Sequence, residues 1–218
     1  MKILIIEPYY TGSHKQWADG YQKHSQHEIR ILSMKGQFWK WRMHGGAVTL
    51  ANQFNDMAWT PDLIIATDML DLTTFLSLTK KRSYKIPTTI YFHENQLTYP
   101  WSPEDRDIQN KRNTHYGFIN YSSALAADKI FFNSKFHMNS FLDELTPFLK
   151  QFPDHQELDS INIIRSRSEL LYLGMELERF DQYKVDNTER PLILWNHRWE
   201  YDKNPELFFA MLKKVKDD

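Results

Sequence analysis

The sequence predicts an α/β protein built on a parallel, Rossmann-like sheet. Short apolar runs recur along the 218 residues at intervals typical of strand–helix units. Most of those runs lack polar alternation, which is how strands buried on both faces of a parallel sheet read. Stretches with helical apolar spacing lie between them. Hydrophobic residues make up 41% of the chain and charged residues 25%, enough apolar content for a core and too much for a disordered chain. The absence of cysteine excludes disulfides, zinc–thiolate sites, iron–sulfur clusters and thiol nucleophiles. With a formal net charge of −1, attraction to nucleic acid has to come from a local basic patch.

The first strand is read over Lys2 to Ile6 and stops at Glu7-Pro8. Its apolar stretch is shorter than the roughly 7–15 residues of a secretory signal, and no run reaches the ~18 of a membrane span. A cytoplasmic location with no membrane partner is the expectation, and the Asn120-Tyr121-Ser122 sequon is read as chance. A second strand covers Glu28 to Leu32, and the stripe Ala47, Leu50, Ala51, Phe54 marks a helix. Asp62 to Ala66 is the third strand, followed by a helical stripe at Leu72, Phe75, Leu76 and Thr79. Thr88 to Phe92 is the fourth, and one long helix is expected from Glu104 to Ala127. Lys129 to Phe132 is the fifth strand. Ser134 then caps a helix carrying Phe141, Leu142, Leu145 and Leu149. Glu169 to Leu173 completes the first domain, 1–180. The polar stretch 181–190 reads as a linker. Residues 191–218 read as the start of a second domain, with a strand at Leu192 to Trp195 and a helix opening at Asn204-Pro205. One strand and one helix cannot bury a sheet face, so this piece is read as incomplete or docked on the first domain.

Three segments carry the chemistry. In Glu7-Pro8-Tyr9-Tyr10-Thr11-Gly12-Ser13-His14-Lys15, Gly12 permits close backbone approach and Ser13 can cap the helix that follows. A helix start after a first strand suits an anion or a hydroxyl, although a plain capped turn has the same residues and no dinucleotide or P-loop glycine pattern is present. In Tyr91-Phe92-His93-Glu94-Asn95-Gln96, a strand feeds polar side chains at its carboxyl end, where open α/β sheets place ligands; a solvated loop is the plain alternative. Leu97 stands where a zinc motif would need its second histidine, so no metal is expected. In Asn196-His197-Arg198-Trp199-Glu200-Tyr201-Asp202-Lys203-Asn204-Pro205, two cations precede a helix and suit a diphosphate; an exposed charged loop is the plain alternative. The basic cluster Lys80 to Lys85 reads as serving a helix end. Segment Gln37 to His44 reads as a loop mixing aromatics with cations, either packed underneath or stacked on bases. His24, His27, His137 and His155 receive no role.

Taken together, Ile6 to Gln16, Tyr91 to Pro100 and Asn196 to Glu206 resemble the tRNA-queuosine α-mannosyltransferase family; Phe132-Asn133-Ser134 and Phe152-Pro153-Asp154-His155 fit it too. The resemblance spans nearly the whole chain. It departs in lacking the family's complete carboxyl-terminal nucleotide-sugar domain. It implies a GT-B fold of two Rossmann domains and retaining transfer of mannose from GDP-mannose to queuosine in tRNA, without metal or other cofactor. Gly12, Ser13 and His14 would lie near the donor phosphates, with Asn95, Gln96, Asn133 and Ser134 lining the donor site. His93 and Glu94 would hold the donor sugar, and Arg198 and Lys203 would match the diphosphate clamp. The chain alone is expected to bind donor weakly and turn over little or not at all. Two alternatives stand beside this reading: a non-catalytic RNA-binding module on half of such a scaffold, and a phosphorolytic or epimerase-type relative.

Overall fold

A computed structural model describes residues 1–110, 112–185 and 192–215. The described chain forms two units. One is Met1–Tyr99 with Asn113–Gly174; the other is built from Pro100–Arg112 and residues from Met175 onward.

The first unit is an open sheet of six parallel strands in the order β2-β1-β3-β4-β5-β6. The strands are β1 (Lys2–Tyr10), β2 (Glu28–Lys35), β3 (Leu63–Thr67), β4 (Thr88–Phe92), β5 (Lys129–Phe132) and β6 (Ser168–Leu170). Alternate residues of β1 serve opposite faces, as strand geometry requires. Leu4 and Ile6 join Ile64, Ala66, Ile90, Phe92, Ile130 and Phe132 in the larger core. That core is covered by α2 (Trp39–Asp56), α3 (Leu72–Ser83), α5 (Thr114–Ala126), α6 (Lys135–Leu149) and α7 (Ser160–Arg167). On the other face, Ile3, Ile5, Ile29, Ile65 and Tyr91 pack against Trp17 and Ala18 of α1 (Gly12–His24).

Helix ends are held by specific groups. Asp71 caps α3 by accepting from the Thr74 amide at 3.0 Å, and Ser134 caps α6 by accepting from the His137 amide at 3.1 Å. Each such cap is worth about 1 kcal/mol. The Arg82 guanidinium donates to the carbonyls of Phe54 and Asn55 at the end of α2 and of Trp59 just beyond it, so this member of the basic cluster serves the terminus of a neighbouring helix rather than of its own. Arg167 does the same for α5, donating to Leu125 O and Ala127 O at 3.0 Å.

The structure corrects several boundaries. The expected helix over 104–127 is two pieces, α4 (Arg106–Gln109) and α5. Asp105 turns its carboxylate onto the Asp107 amide at 2.9 Å and starts the short helix, whose end at Asn110 closes back on Arg106. Lys111 lies outside the described residues. Ser13 is not the cap of α1: Thr11 holds that position in extended backbone with no side-chain cap bond, and Ser13 sits in the first turn. The segment 37–44 is helical from Trp39, entered through Phe38 at φ 54°, ψ 54°. A left-handed conformation costs a non-glycine residue about 1–2 kcal/mol.

In the second unit, Leu192 to Trp195 is not a strand. Leu192, Ile193 and Leu194 are exposed, and an extended run needs a paired neighbour to satisfy its backbone. The expected linker begins inside a 3-10 turn, Leu177–Tyr183, and its residues 186–190 lie outside the described ones. Helix α8 (Pro205–Lys214) does open at Asn204-Pro205, with proline in its first turn. The Trp195 ring packs on Phe208 at 4.7 Å, and Trp199 stacks on Phe209 at 5.3 Å.

Candidate functional site

The connection from β1 leads to β2 on one side of the sheet, while β3 flanks β1 on the other. The crevice at the carboxyl ends of β1 and β3 is therefore the topological switch point, where open α/β sheets bind ligands. Glu7 near the end of β1, His14 in the first turns of α1, Asp68 directly after β3 and His93 directly after β4 meet there.

Glu7 is fully buried and His14 nearly so; Glu7 Oε2 lies 3.1 Å from His14 Nδ1. The other carboxylate oxygen accepts from the Tyr9 amide at 2.8 Å. Burial alone would push the His14 imidazolium down. The hydrogen bond to Glu7, together with the negative fields of Asp68, Glu7 and Glu94, wins and holds it up at about 9. His14 therefore stays protonated at neutral pH. Asp68, wholly buried, accepts from the His93 amide at 2.8 Å. Burial raises its carboxyl well above the usual range, the Glu94 and Glu7 charges add to that, and the His14 cation opposes it.

His93 behaves oppositely to His14. Its ring lies 4.2 Å from the His14 ring and edge-on to Trp17 at 4.9 Å. Burial first, then the neighbouring His14 and His137, push its pKa down to about 2, so it is neutral. Its Nε2 atom is buried without a hydrogen-bond partner. Asn133 fixes the backbone here: its Nδ2 donates to His93 O at 2.8 Å, while its Oδ1 lies 3.0 Å from His137 Nδ1. His137 is also pushed down, to about 4, by burial, and its Nε2 is a second buried atom without a partner. Gln96 Oε1 is a third. Gln96 is otherwise fixed: its amide donates to Asn120 Oδ1 at 2.7 Å and its Nε2 donates to Glu94 Oε1 at 3.3 Å. Asn120 Nδ2 in turn donates to Asp68 O at 2.9 Å. Buried polar atoms left unpaired are costly, and these three lie just after β4 or on α6, whose His137 ring meets Phe92 of β4.

The structure thus brings together His14, His93, Glu94, Gln96 and Asn133 of the residues the sequence singled out. Asn95 is taken up locally, its Oδ1 accepting from the Leu97 and Thr98 amides at 3.0 Å. Ser134 is taken up as the α6 cap. Gly12 sits at φ 52° with open space where a side chain would be, and Ser13 is exposed. Arg198 and Lys203 belong to the second unit. There Arg198 pairs with Glu200 at 3.2 Å and Lys203 with Asp202 at 2.7 Å.

Sequence reasoning missed Glu7, Asp68, Asn120 and His137 as contributors. A carboxylate inside an apolar strand and an aspartate at a strand end were visible signals for the first two. His137 stands four residues after Asn133, the spacing that puts two side chains on one helical face. Among the described residues, Glu7, His14 and His93 each offer one ligand atom, all within 4.8 Å of one another, so a cation could replace the proton that His14 holds. No helix among the described residues is long and apolar enough to cross a membrane.

Residues 2–175 match the family model described as tRNA-queuosine alpha-mannosyltransferase N-terminal. The chain is also 36% identical over 221 aligned positions to a tRNA-queuosine alpha-mannosyltransferase of Drosophila melanogaster. That alignment covers 96% of this chain and 56% of the fly protein, so the chain spans little more than half the length of this relative. With the family match running through β1 to β6 and every residue of the switch-point cluster, the chain belongs to the tRNA-queuosine alpha-mannosyltransferase N-terminal family.

Proposed function

We propose that this chain takes part in moving a hexose, mannose, from a nucleotide sugar, GDP-mannose, to queuosine in tRNA with retention at the sugar carbon. The observation that carries the reading is the neutral His93 directly after β4, whose buried Nε2 has no hydrogen-bond partner, with His137 Nε2 and Gln96 Oε1 also buried and unpaired. Such a set suits the hydroxyls of a sugar: directional, uncharged and dry. The chain's place in its family supports the donor and acceptor classes.

In the proposed reaction the bond from the sugar carbon to the diphosphate oxygen breaks, and one from that carbon to the acceptor oxygen forms. The acceptor's proton passes to the departing phosphate oxygen. Negative charge builds on the leaving group while the sugar gains oxocarbenium character. The positive end of α1 at Gly12 and Ser13 is assigned to the diphosphate oxygens. His93 and Glu94 orient the sugar. No step of this proposal uses a metal.

Mass spectrometry of tRNA nucleosides from a strain lacking the gene tests it. Loss of a hexosylated queuosine nucleoside, with plain queuosine in its place, is expected. An unchanged nucleoside profile overturns the proposal.

A further inference from the structure

We propose that Glu7, His14 and His93 form a binding site for a divalent transition-metal ion, zinc above all, held by one carboxylate oxygen and two imidazole nitrogens. The zinc pattern that Leu97 breaks belongs to a single helix, whereas these three residues come from β1, α1 and the position after β4. The site is argued from its own geometry and not from sugar transfer, no step of which uses a metal.

Each of the three residues offers a ligand atom, and these atoms lie within 4.8 Å of one another. Ligand atoms about 2.0–2.1 Å from one tetrahedral zinc stand roughly 3.3 Å apart. Glu7 Oε2 and His14 Nδ1 already stand at 3.1 Å. The His93 ring lies 4.2 Å from the His14 ring between centres. Drawing the widest gap in to the zinc spacing takes at most about 1.5 Å, within reach of small side-chain rotations.

Metal ligands need outer partners that fix them, and these are in place. The second Glu7 oxygen accepts from the Tyr9 amide at 2.8 Å, which leaves Oε2 to turn toward His14. The backbone of His93 is pinned twice: its amide donates to Asp68 and its carbonyl accepts from Asn133 Nδ2, both at 2.8 Å. Its ring meets Trp17 and Tyr91 edge-on, each at 4.9 Å.

Two further observations point to a cation as the occupant. The buried Nε2 of His93 has no hydrogen-bond partner, so coordination at that atom breaks no existing bond. The surroundings are also rich in negative charge. Glu7 is fully buried, and Asp68 and Glu94 add their fields to its own at His14. A divalent ion in place of the shared proton would be the largest local charge and would answer those carboxylates. Two imidazoles and a carboxylate suit zinc and its neighbours cobalt and nickel, while magnesium and calcium prefer oxygen alone. Three protein ligands leave the fourth position to water.

The test uses the full chain in equilibrium dialysis against buffered micromolar zinc. One zinc per chain is expected, retained against an excess of magnesium and calcium. His93→Gln and Glu7→Gln should each weaken zinc binding by about a hundred-fold or more, since losing a ligand costs no less than losing an outer partner. His155→Gln removes an exposed imidazole beside Asp154 and should leave the affinity unchanged. A substitution in the buried cluster can disturb folding, so the wild-type chain is also titrated with paramagnetic cobalt and followed by the histidine ring-proton signals. Those of His14 and His93 should broaden together, ahead of those of His44, His115 and His155. Failure to bind zinc, wild-type affinity in His93→Gln, or broadening that begins at the other histidines would each overturn the proposal.

Discussion

Replacing Glu7 by glutamine removes the charge that holds the proton on His14 while keeping the shape of the buried side chain. The His14 pKa stands at about 9, against 6.5 for a free imidazole. At about 1.4 kcal/mol per unit, that difference stabilises the fold by about 3 kcal/mol. Because the folded value is the higher one, the contribution is fully present below pH 6.5 and is lost as pH rises through about 9. Asp68 pulls the same way, since a carboxyl whose pKa is raised by burial also binds its proton more tightly in the folded state. Urea unfolding of the wild-type chain, followed by tryptophan fluorescence at half-unit steps, should therefore show stability falling between pH 6.5 and 9. In Glu7→Gln the hydrogen bond to a charged partner is gone. The His14 titration, read directly from its ring-proton shifts, should drop by at least one unit. The variant should then be about 1.4 kcal/mol or more less stable at pH 6.5, and the two curves should converge toward pH 9. A Glu7→Gln curve running parallel to wild type across that window, with His14 titrating unchanged, would refute the reasoning.

Acid should unfold the chain through the other two histidines. His137 and His93 have folded values of about 4 and about 2 because burial disfavours their charged forms, so stability is present above pH 6.5 and is lost as pH falls toward 4. His137 alone accounts for about 3 kcal/mol by pH 4, and His137→Phe should move the acid midpoint seen by circular dichroism to lower pH; an unmoved midpoint would count against it. Gly36→Ala should destabilise by about 1–3 kcal/mol, because the new methyl meets both Cγ2 and Cβ of the branched Thr11 side chain at 2.1 and 2.4 Å. Thermal melts check this, and adding Thr11→Gly should restore most of the loss.

What could be read before the structure follows from which forces are local. Strands β4 and β5 were legible to the residue, Thr88–Phe92 and Lys129–Phe132, because each is a short apolar run fixed on both sides by its neighbours. The run Leu192 to Trp195 has the same composition but no strand beside it among the described residues, and a strand is a property of a pair. At the site, the strand-end residues His93 to Gln96 stood out because their position follows from topology. His137 did not, since its burial depends on how α6 docks over Phe92 and Phe132, whose rings it meets edge-on at 6.3 and 5.2 Å. The opposite behaviour of His14 and His93 was invisible for the same reason: both are histidines near a strand end, and what separates them is the hydrogen bond from Glu7 and the carboxylates around His14 against the burial of His93 beside two other imidazoles.

The near contact of the two imidazoles, 4.2 Å between ring centres, has a consequence of its own. Once one ring is cationic, the other repels a second proton, so the pair behaves as a single-charge device through the neutral range. An uncharged guest resting on the proton-poor ring meets the same surroundings whether the medium is mildly acidic or mildly alkaline.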